Sequence, residues 1–228
     1  MSHPLDRPVW NALHSGWAEL ARGGDQALQL SPNYGPFAAA VDQSAESLAA
    51  LARLTPGDEG LWIVETEAWP ELPGLREIKR ALCDQMTAQA VPPAPESLDY
   101  VLLTEDDAAQ MFALARATKP GPFARHTHRL SQFVGIKQDG RLVAMAGERM
   151  RLTGFAEISG VCTDLTFRGR GYAAGLMRVV ANRILARGER PFLHTYADNA
   201  GAIALYESLG FSKRTTVVLT AFIHAPAA

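Results

Sequence analysis

The chain has 228 residues, of which 47% are hydrophobic and 20% charged, so it can bury a core and is not disordered by composition. Its formal charge of −2 argues against a general nucleic-acid binder, and its two cysteines, Cys83 and Cys162, imply no disulfide framework. No stretch approaches the roughly 18 uninterrupted apolar residues of a membrane helix, and the first residues lack the basic start and apolar run of a signal peptide. We therefore expect a cytoplasmic globular protein that binds neither membranes nor nucleic acid.

The charge is distributed unevenly along the chain. Residues 1–97 carry six basic and 13 acidic side chains, a net charge of −7, whereas residues 98–228 carry 16 basic and 11 acidic side chains, a net charge of +5. From Arg168 to Arg190, six arginines accompany a single acid, Glu189. This excess predicts an anionic ligand for the second half, unless the arginines only form a solvated helix face.

Apolar residues at helical spacing near the N-terminus predict a first helix, which begins at Pro8 and continues to the glycine pair at 23–24. Trp10 and Trp17 belong to this apolar stripe. We interpret the stripe as the face that packs on the core, since tryptophans at this spacing more often fill a core than line a pocket.

The rest of the first half yields a second helix, a strand and one ambiguous segment. The helix is predicted over 44–54, the strand over 61–64, and the segment over 75–86 fits either a helix or strands. Three prolines within 91–97 then resist both helix and sheet and predict a semi-rigid linker. We therefore expect a divergent N-terminal α/β subdomain over 1–97.

The second domain is expected over 98–228 and has the clearer pattern. Its predicted elements follow the order strand, helix, hairpin, strand, helix, strand, helix, strand, which is typical of a mixed α/β sheet. The predicted strands cover 100–103, 133–136, 142–146, 155–163, 191–197 and 217–222, and the predicted helices cover 104–119, 173–187 and 199–209. Asp139-Gly140 marks the turn of the hairpin.

A motif of arginines and glycines lies where the fourth predicted strand gives way to a helix, in the run Arg168-Gly169-Arg170-Gly171-Tyr172-Ala173. Glycines let the backbone approach a ligand closely, and the first helical turn offers unpaired N–H groups at the positive end of the helix dipole. Such a turn binds phosphate or pyrophosphate. The run lacks the third glycine of the dinucleotide fingerprint and the Gly-Lys-Ser or Gly-Lys-Thr of a P-loop, so it belongs to neither class.

A second motif follows the next strand, in Asp198-Asn199 and the run Leu205-Tyr206-Glu207-Ser208-Leu209-Gly210-Phe211. With Arg168-x-x-Gly171-x-Ala173 at this spacing, residues 98–228 resemble the GNAT superfamily of acyl-CoA-dependent N-acyltransferases. Ala156-Glu157-Ile158-Ser159 is similar to the glycine N-acyltransferase-like branch, also called FR47-like, whose members carry a divergent N-terminal half. The resemblance implies the GNAT acyltransferase fold, an α/β protein with a mixed sheet, and acetyl-CoA as co-substrate without a metal.

The resemblance assigns the coenzyme to the end of the fourth strand and the helix after it. The strand backbone would hydrogen-bond the pantetheine arm, and the Arg-Gly turn would wrap the pyrophosphate. The residues implied are Val161, Cys162, Thr163, Arg168, Gly169, Arg170, Gly171, Tyr172, Ala173, Ala174 and Asn199. Tyr206 would be the acid that protonates the departing thiolate, since a phenol keeps its proton at pH 7. The alternative for Tyr206 is a core tyrosine.

The general base has two candidates. Glu157 lies four residues before Val161 on one strand, so both side chains point to the face that would receive the acyl group. Similarity to the FR47-like branch favours Glu157 as the base, acting through a water, although an arginine such as Arg149 or Arg151 would also satisfy a carboxylate there. His194 on the next strand is the alternate base, and its alternative is a structural histidine.

Two further patterns are interpreted as inert. Cys162 in an apolar strand is more typical of packing than of a covalent acyl-cysteine intermediate. His126 and His128 are flanked by arginines and lack a spaced third ligand for a metal.

We therefore expect an enzyme that moves an acetyl or short acyl group from acyl-CoA to the primary amine of a small molecule, by direct attack in a ternary complex. The N-terminal subdomain would shape the acceptor pocket, and its acidic charge hints at a cationic acceptor such as a polyamine. Two other classes stay open, a non-catalytic acyl-CoA-binding sensor module and a polyanion-binding interaction protein. The sequence sets no oligomeric state, and a homodimer is compatible with it.

Overall fold

Two β-sheets and five α-helices make up residues 3–224, the part of the chain that the computed structural model describes. Three short antiparallel strands form one sheet, and the other eight strands form a mixed sheet. The helices are α1 (Pro8–Leu13), α2 (Ala45–Ala52), α3 (Ala108–Thr118), α4 (Tyr172–Ala186) and α5 (Ala200–Ser208). The strands are β1 (Ala21–Gly24), β2 (Ala27–Leu30), β3 (Ala38–Ala40), β4 (Leu61–Glu65), β5 (Leu75–Thr87), β6 (Val101–Leu102), β7 (Val134–Gln138), β8 (Arg141–Leu152), β9 (Phe155–Thr163), β10 (Arg190–Tyr196) and β11 (Ser212–His224).

The eight-stranded sheet has the order β4-β11-β5-β10-β9-β8-β7-β6. Its neighbouring strands are antiparallel except β9 and β10, which run parallel in the middle of the sheet. The apolar face of α4 packs on one side of the sheet, and α1 and α3 pack on the other. The predicted α/β architecture with a mixed sheet is therefore confirmed.

Strands from the first half of the chain belong to this sheet. β4 lies at one edge, and β5, the segment whose pattern fits either a helix or strands, pairs with β10 on one side and β11 on the other. Ile78 and Leu82, which contribute to the helical spacing of that segment, are 46% and 57% exposed on β5. The eight-stranded sheet therefore contains strands from both sides of the boundary that the sequence predicts at residue 97.

The first helix is shorter than predicted. α1 ends at Leu13 because the chain turns toward β8, where the Gly16 N–H donates to the Arg151 carbonyl at 3.1 Å. A Cβ at Gly16 would lie 2.4 Å from that carbonyl oxygen, so the approach requires glycine. Trp17 is buried, as the core interpretation predicts, and its indole N–H donates to the Arg149 carbonyl. The segment after it forms β1, β2 and β3, which the sequence does not indicate.

The predicted elements of the second half are all present, although β8 and β11 are more than twice as long as predicted. Asp139 and Gly140 have φ of 51° and 76°, the left-handed values that a two-residue hairpin turn requires. Thr104 forms a capping box before α3, and the Asn199 side chain caps α5. β11 is longer than predicted because it pairs with β5 along most of that strand. Within residues 3–224, no helix is long and apolar enough to cross a membrane.

Candidate active site

The two parallel strands at the centre of the sheet separate along their length. β10 pairs with β9 only from Arg190 to Phe192, and the following residues up to Tyr196 pair with β5 on the other side. Across the gap, the end of β9 over 159–163 pairs with β8. Because backbone N–H and C=O groups require partners, the two facing strand edges are able to bind an extended ligand.

One cavity, the donor cleft, begins at this gap and has a volume of about 510 Å³. It is lined by every residue that the resemblance assigns to the coenzyme, namely Val161, Cys162, Thr163, Arg168, Gly169, Arg170, Gly171, Tyr172, Ala173, Ala174 and Asn199. The predicted acid, Tyr206, lines it as well. Its remaining walls, which the sequence does not indicate, are Thr118, Pro120, Phe167, Gly201, Ala202 and Leu205. The fold thus brings the predicted residues together, and their binding of coenzyme A stays a prediction.

The start of α4 gives the donor cleft the features of an anion site. Gly169 and Gly171 have φ of 78° and 75°, and a Cβ at either position would meet nothing within 4 Å. No described side chain caps α4, so its first N–H groups are free to bind a ligand. The Arg170 guanidinium lies 4.8 Å from the Phe167 ring at the cleft wall. Open glycines, free N–H groups and arginines are the donors that a pyrophosphate requires.

A second cavity of about 320 Å³, the acceptor chamber, joins the donor cleft. Both cavities are lined by Thr118, Pro120, Val161, Asn199, Ala202 and Tyr206. The other walls of the chamber come from both halves of the chain and include Phe37, Trp62, Val64, Arg149, His194 and Leu219. None of its described lining residues is Asp or Glu. Pro120-Gly121-Pro122 also lines the chamber. In the sequence this run indicates only the end of the helix predicted over 104–119, not a cavity wall.

Tyr206 lies on α5 where the two cavities meet, and its side chain lines both. Burial raises the pKa of the Tyr206 hydroxyl, and no charge or hydrogen bond of the described residues offsets this shift. The hydroxyl therefore keeps its proton at neutral pH. A group that must donate a proton to a thiolate requires this protonation state.

Glu157 lines neither cavity. Its fully buried carboxylate accepts hydrogen bonds from Arg149 Nε at 2.8 Å, from Arg149 Nη2 at 2.7 Å and from His194 Nδ1 at 2.8 Å. Burial by itself would raise the pKa of Glu157, but the charge of Arg149 and the hydrogen bonds from His194 and Arg149 outweigh it and lower the pKa to about 2. A carboxylate that is so weakly basic and so enclosed does not fit the expected role of a general base beside the acyl group. The pairing with Arg149 is the alternative that the sequence left open.

His194 lines the acceptor chamber and connects Glu157 to Gln85. Gln85 Oε1 accepts a hydrogen bond from Arg214 Nε at 2.6 Å, which fixes the orientation of the amide. Gln85 Nε2 then donates to the Leu5 carbonyl at 2.9 Å and to His194 Nε2 at 3.0 Å. The hydrogen-bond pattern therefore assigns the ring proton of His194 to Nδ1. Both ring nitrogens are engaged, so Nε2 can gain a proton only if Gln85 turns away.

The ion pair of Glu157 predicts how stability responds to acid. The pKa is about 2 in the folded protein against an ordinary value of 4.5, so the folded state binds fewer protons than the unfolded state between these values. The contribution to the free energy of unfolding is complete above pH 4.5 and is lost as the pH falls toward 2. Urea unfolding measured from about pH 5 to about pH 3 should show that the free energy of unfolding falls more steeply with pH for the wild type than for Glu157→Gln. Equal slopes for the two proteins would contradict the lowered pKa of Glu157.

The other candidate side chains have unreactive surroundings. Burial raises the pKa of the Cys162 thiol to about 11, and that of Cys83 to about 11, so both thiols are protonated at neutral pH. His128 Nε2 lies 3.1 Å from a carboxylate oxygen of Glu105. Residues 3–224 contain no group of three or more His, Cys, Asp or Glu placed to hold a metal ion.

Comparison with known proteins identifies the class to which this fold and site belong. The model of the FR47-like protein family matches residues 133–219. N-alpha-acetyltransferase RimI of Mycobacterium tuberculosis is 34% identical over 113 residues, which are 46% of this chain and 68% of that relative. A crystal structure of a GNAT-family protein from Novosphingobium aromaticivorans is 48% identical, covers 98% of this chain and 100% of its own, and superposes with a TM-score of 0.91.

The fold recurs at greater distance as well. A GCN5-related N-acetyltransferase from Kribbella flavida, 20% identical over 96% of this chain and 95% of its own, has a TM-score of 0.62 and so shares the fold. The chain belongs to the GNAT N-acetyltransferase superfamily, in its FR47-like branch. It is an acetyltransferase, and this superfamily uses acetyl-CoA as co-substrate.

Proposed function

We propose that the protein transfers an acetyl group from acetyl-CoA to a primary amine of a small molecule, by direct attack in a ternary complex. The observation that carries the proposal is the meeting of two cavities at Val161 and Tyr206, one with an anion site and one with an aromatic and aliphatic wall. An acceptor chamber of about 320 Å³ suits a small molecule. The proposal keeps the cytoplasmic location expected from the sequence.

The donor cleft would hold the coenzyme by its two ends. The N–H groups at the start of α4, with Arg168 and Arg170, would bind the pyrophosphate. The free edge of β9 over 161–163 would hydrogen-bond the pantetheine arm. Bound in this way, acetyl-CoA supplies a thioester whose carbonyl is polarised by backbone N–H groups near Val161.

Tyr206 would act as the acid of the transfer. The amine nitrogen forms a bond to the acyl carbon as the carbon–sulfur bond breaks, and the departing thiolate takes the proton of the Tyr206 hydroxyl. The surplus proton of the new amide nitrogen passes to solvent, from which Tyr206 is protonated again. The raised pKa of Tyr206 keeps it in the donor form before each turnover.

The amine would reach the thioester already neutral. The acceptor chamber has no described Asp or Glu on its surface, and the Arg149 charge is compensated by Glu157, so desolvation lowers the pKa of a bound ammonium. Glu157 then serves as a positioning residue, because it holds Arg149 and His194 in place. His194 takes the proton itself only when Gln85 moves, as its hydrogen bonds require.

Thermal unfolding with acetyl-CoA, CoA, ATP or NAD tests the donor site. A ligand at ~100 times its dissociation constant adds about 2.7 kcal/mol to the free energy of unfolding. Both CoA forms should therefore raise the melting temperature, and ATP and NAD should not. The double variant Arg168→Gln, Arg170→Gln should lose the shift, whereas the exposed pair Arg22→Gln, Arg53→Gln should keep it, since neither residue lines the cleft.

The outcome also separates the other classes. No shift with either CoA form would contradict the proposal and favour a polyanion-binding protein. A shift without CoA release in an amine screen would favour a sensor module. Since the relative from Mycobacterium tuberculosis is named an N-alpha-acetyltransferase, the screen should include a short peptide with a free N-terminus as the competing acceptor.

A further inference from the structure

The acceptor chamber continues outward into a third cavity of about 540 Å³, the outer chamber. The two chambers share Trp62, Lys119, Gly121, Pro122 and Tyr196, so they form one channel that leads away from the donor cleft. An acceptor that fills the channel would place its amine at Tyr206 and its other end at the outer chamber. The inference below concerns that other end, and it rests on the proposed function.

Cations dominate the outer part of this channel. Lys79, Arg116 and Lys119 line the outer chamber, and Glu59 is the one acid among its described lining residues. None of these three cations forms a salt bridge with a described residue, whereas five of the seven arginines on the strands of the eight-stranded sheet do, as in the pair of Arg80 with Glu77. Charge that is left unpaired around a concave surface attracts an anion.

The position of Lys79 is set by two aromatic rings. Its ammonium donates to the Tyr196 hydroxyl at 2.6 Å and lies 4.4 Å from the centroid of that ring and 5.6 Å from that of Trp62. Both rings belong to the channel wall. The charge is therefore held beside the channel, where a bound group can reach it, instead of moving freely in solvent.

One wall of the acceptor chamber is apolar. Phe37 and Trp62 contact each other edge to face, with ring centroids 6.5 Å apart, and Leu219 lies in the same wall. Rings and aliphatic side chains provide a favourable surface for a flat or branched hydrocarbon body. The chamber has no described Asp or Glu to pair with the several ammonium groups of a polyamine.

We propose that the acceptor is an amine with an apolar body and an anionic group, a carboxylate or phosphonate-like oxyanion, at the end remote from the amine. Lys79 and Lys119 bind the anion in the outer chamber, and the body lies against Phe37 and Trp62. The proposal reverses the cationic acceptor suggested by the acidic first half. Four of the 13 acids of that half form salt bridges within the described residues, for example Glu65 with Arg7, and Glu59 is the one that lines the channel.

A panel of amines with one shared body tests the charge preference. Benzylamine is the neutral-body reference, 4-(aminomethyl)benzoate and 4-(aminomethyl)phenylphosphonate add an anion, and 1,4-bis(aminomethyl)benzene adds a cation. We expect kcat/KM for one or both anions to exceed that of benzylamine by about tenfold or more, since a charge-assisted hydrogen bond is lost without the anion. The dication should be the poorest acceptor. A dication that matches or exceeds the anions would overturn the proposal.

Variants assign the preference to the two lysines. Lys79→Gln with Lys119→Gln should reduce the ratio of kcat/KM for the anions to kcat/KM for benzylamine about tenfold. The control is Arg22→Gln with Arg53→Gln, which removes the same charge from exposed sites outside the channel. Equal losses for anions and benzylamine, or no loss for either, would overturn the assignment.

Calorimetric binding of the same amines to the CoA-loaded protein separates this inference from the proposed function. If CoA binds but no amine is acetylated, the proposed transfer fails, while the order of amine affinities still decides the charge preference. If amines are acetylated but their order is flat or reversed, the proposed transfer stands and the anionic acceptor is wrong.

Discussion

Replacing Glu157 by alanine should lower the free energy of unfolding by about 3–5 kcal/mol, because a buried ion pair that loses one partner leaves the other charge without compensation. The side chains of Glu157 and Arg149 are 1% and 11% exposed, so water would solvate the unpaired Arg149 charge poorly. His194 Nδ1 loses its acceptor at the same time. Urea unfolding at pH 7, fitted to two states, measures the difference.

An exposed carboxylate with the same kind of partners provides the control. Glu105 accepts hydrogen bonds from Arg129 and His128 but is 60% exposed, so Glu105→Ala should leave the unfolding midpoint close to that of the wild type. Glu157→Gln should lie between the two, since the amide oxygen still accepts from Arg149. A loss in Glu157→Ala no larger than in Glu105→Ala would mean that the Arg149 charge is solvated after all.

The anion site of the donor cleft was predictable because the residues that form it are consecutive. The run from Arg168 to Ala173 encodes a turn, a helix start and an anion site within six positions, and the strand before it was predicted over the same residues that β9 occupies. Local chemistry alone is enough for such a motif, because each glycine and each free N–H acts where the chain places it. Asn199 was predicted only through the family resemblance, and in the structure its side chain caps α5.

The neighbours of β5 were not predictable from local pattern. Strand pairing joins β5 to β10 and β11, which lie more than 100 residues further along the chain, and no residue in β5 marks those partners. Its exposed Ile78 and Leu82 also break the alternation expected of a half-buried strand. The acceptor chamber depends on this pairing, so its walls could not be inferred either.

The environment of Glu157 shows the same limit at the level of one side chain. The sequence places Glu157 and Val161 on one face of β9, and Val161 does reach the cavities. Glu157 lies beside the paired part of β10, where Phe192 is its register partner, and is covered by Arg149 and His194. Which carboxylate faces a cleft therefore depends on where two strands separate, and that position is a property of the whole sheet.

Replacing Tyr206 by phenylalanine should reduce kcat by about 100-fold, the lower range for loss of a positioned acid, while KM for acetyl-CoA changes little. The phenyl ring keeps the packing of α5 on the sheet. Burial is the cause of the pKa shift of the hydroxyl, with no contribution from a hydrogen bond or charge of the described residues. The variant should therefore fold like the wild type. The steady-state rate of CoA release, measured with benzylamine as acceptor at varied acetyl-CoA, gives kcat and KM.

Tyr172 is the matched control, since it also lines the donor cleft but lies at the start of α4, away from the acceptor chamber. Tyr172→Phe should retain kcat within about twofold, so a comparable loss in both variants would point to coenzyme binding in place of proton transfer. The His194→Gln variant tests whether His194 is the base. If it is, kcat should fall as far as in Tyr206→Phe, whereas a histidine already bonded at both nitrogens predicts a much smaller fall.

Because burial raises the pKa of Tyr206, the wild-type kcat should show no decline up to the ordinary phenol range near about pH 10. A decline at lower pH would assign the acid to another group.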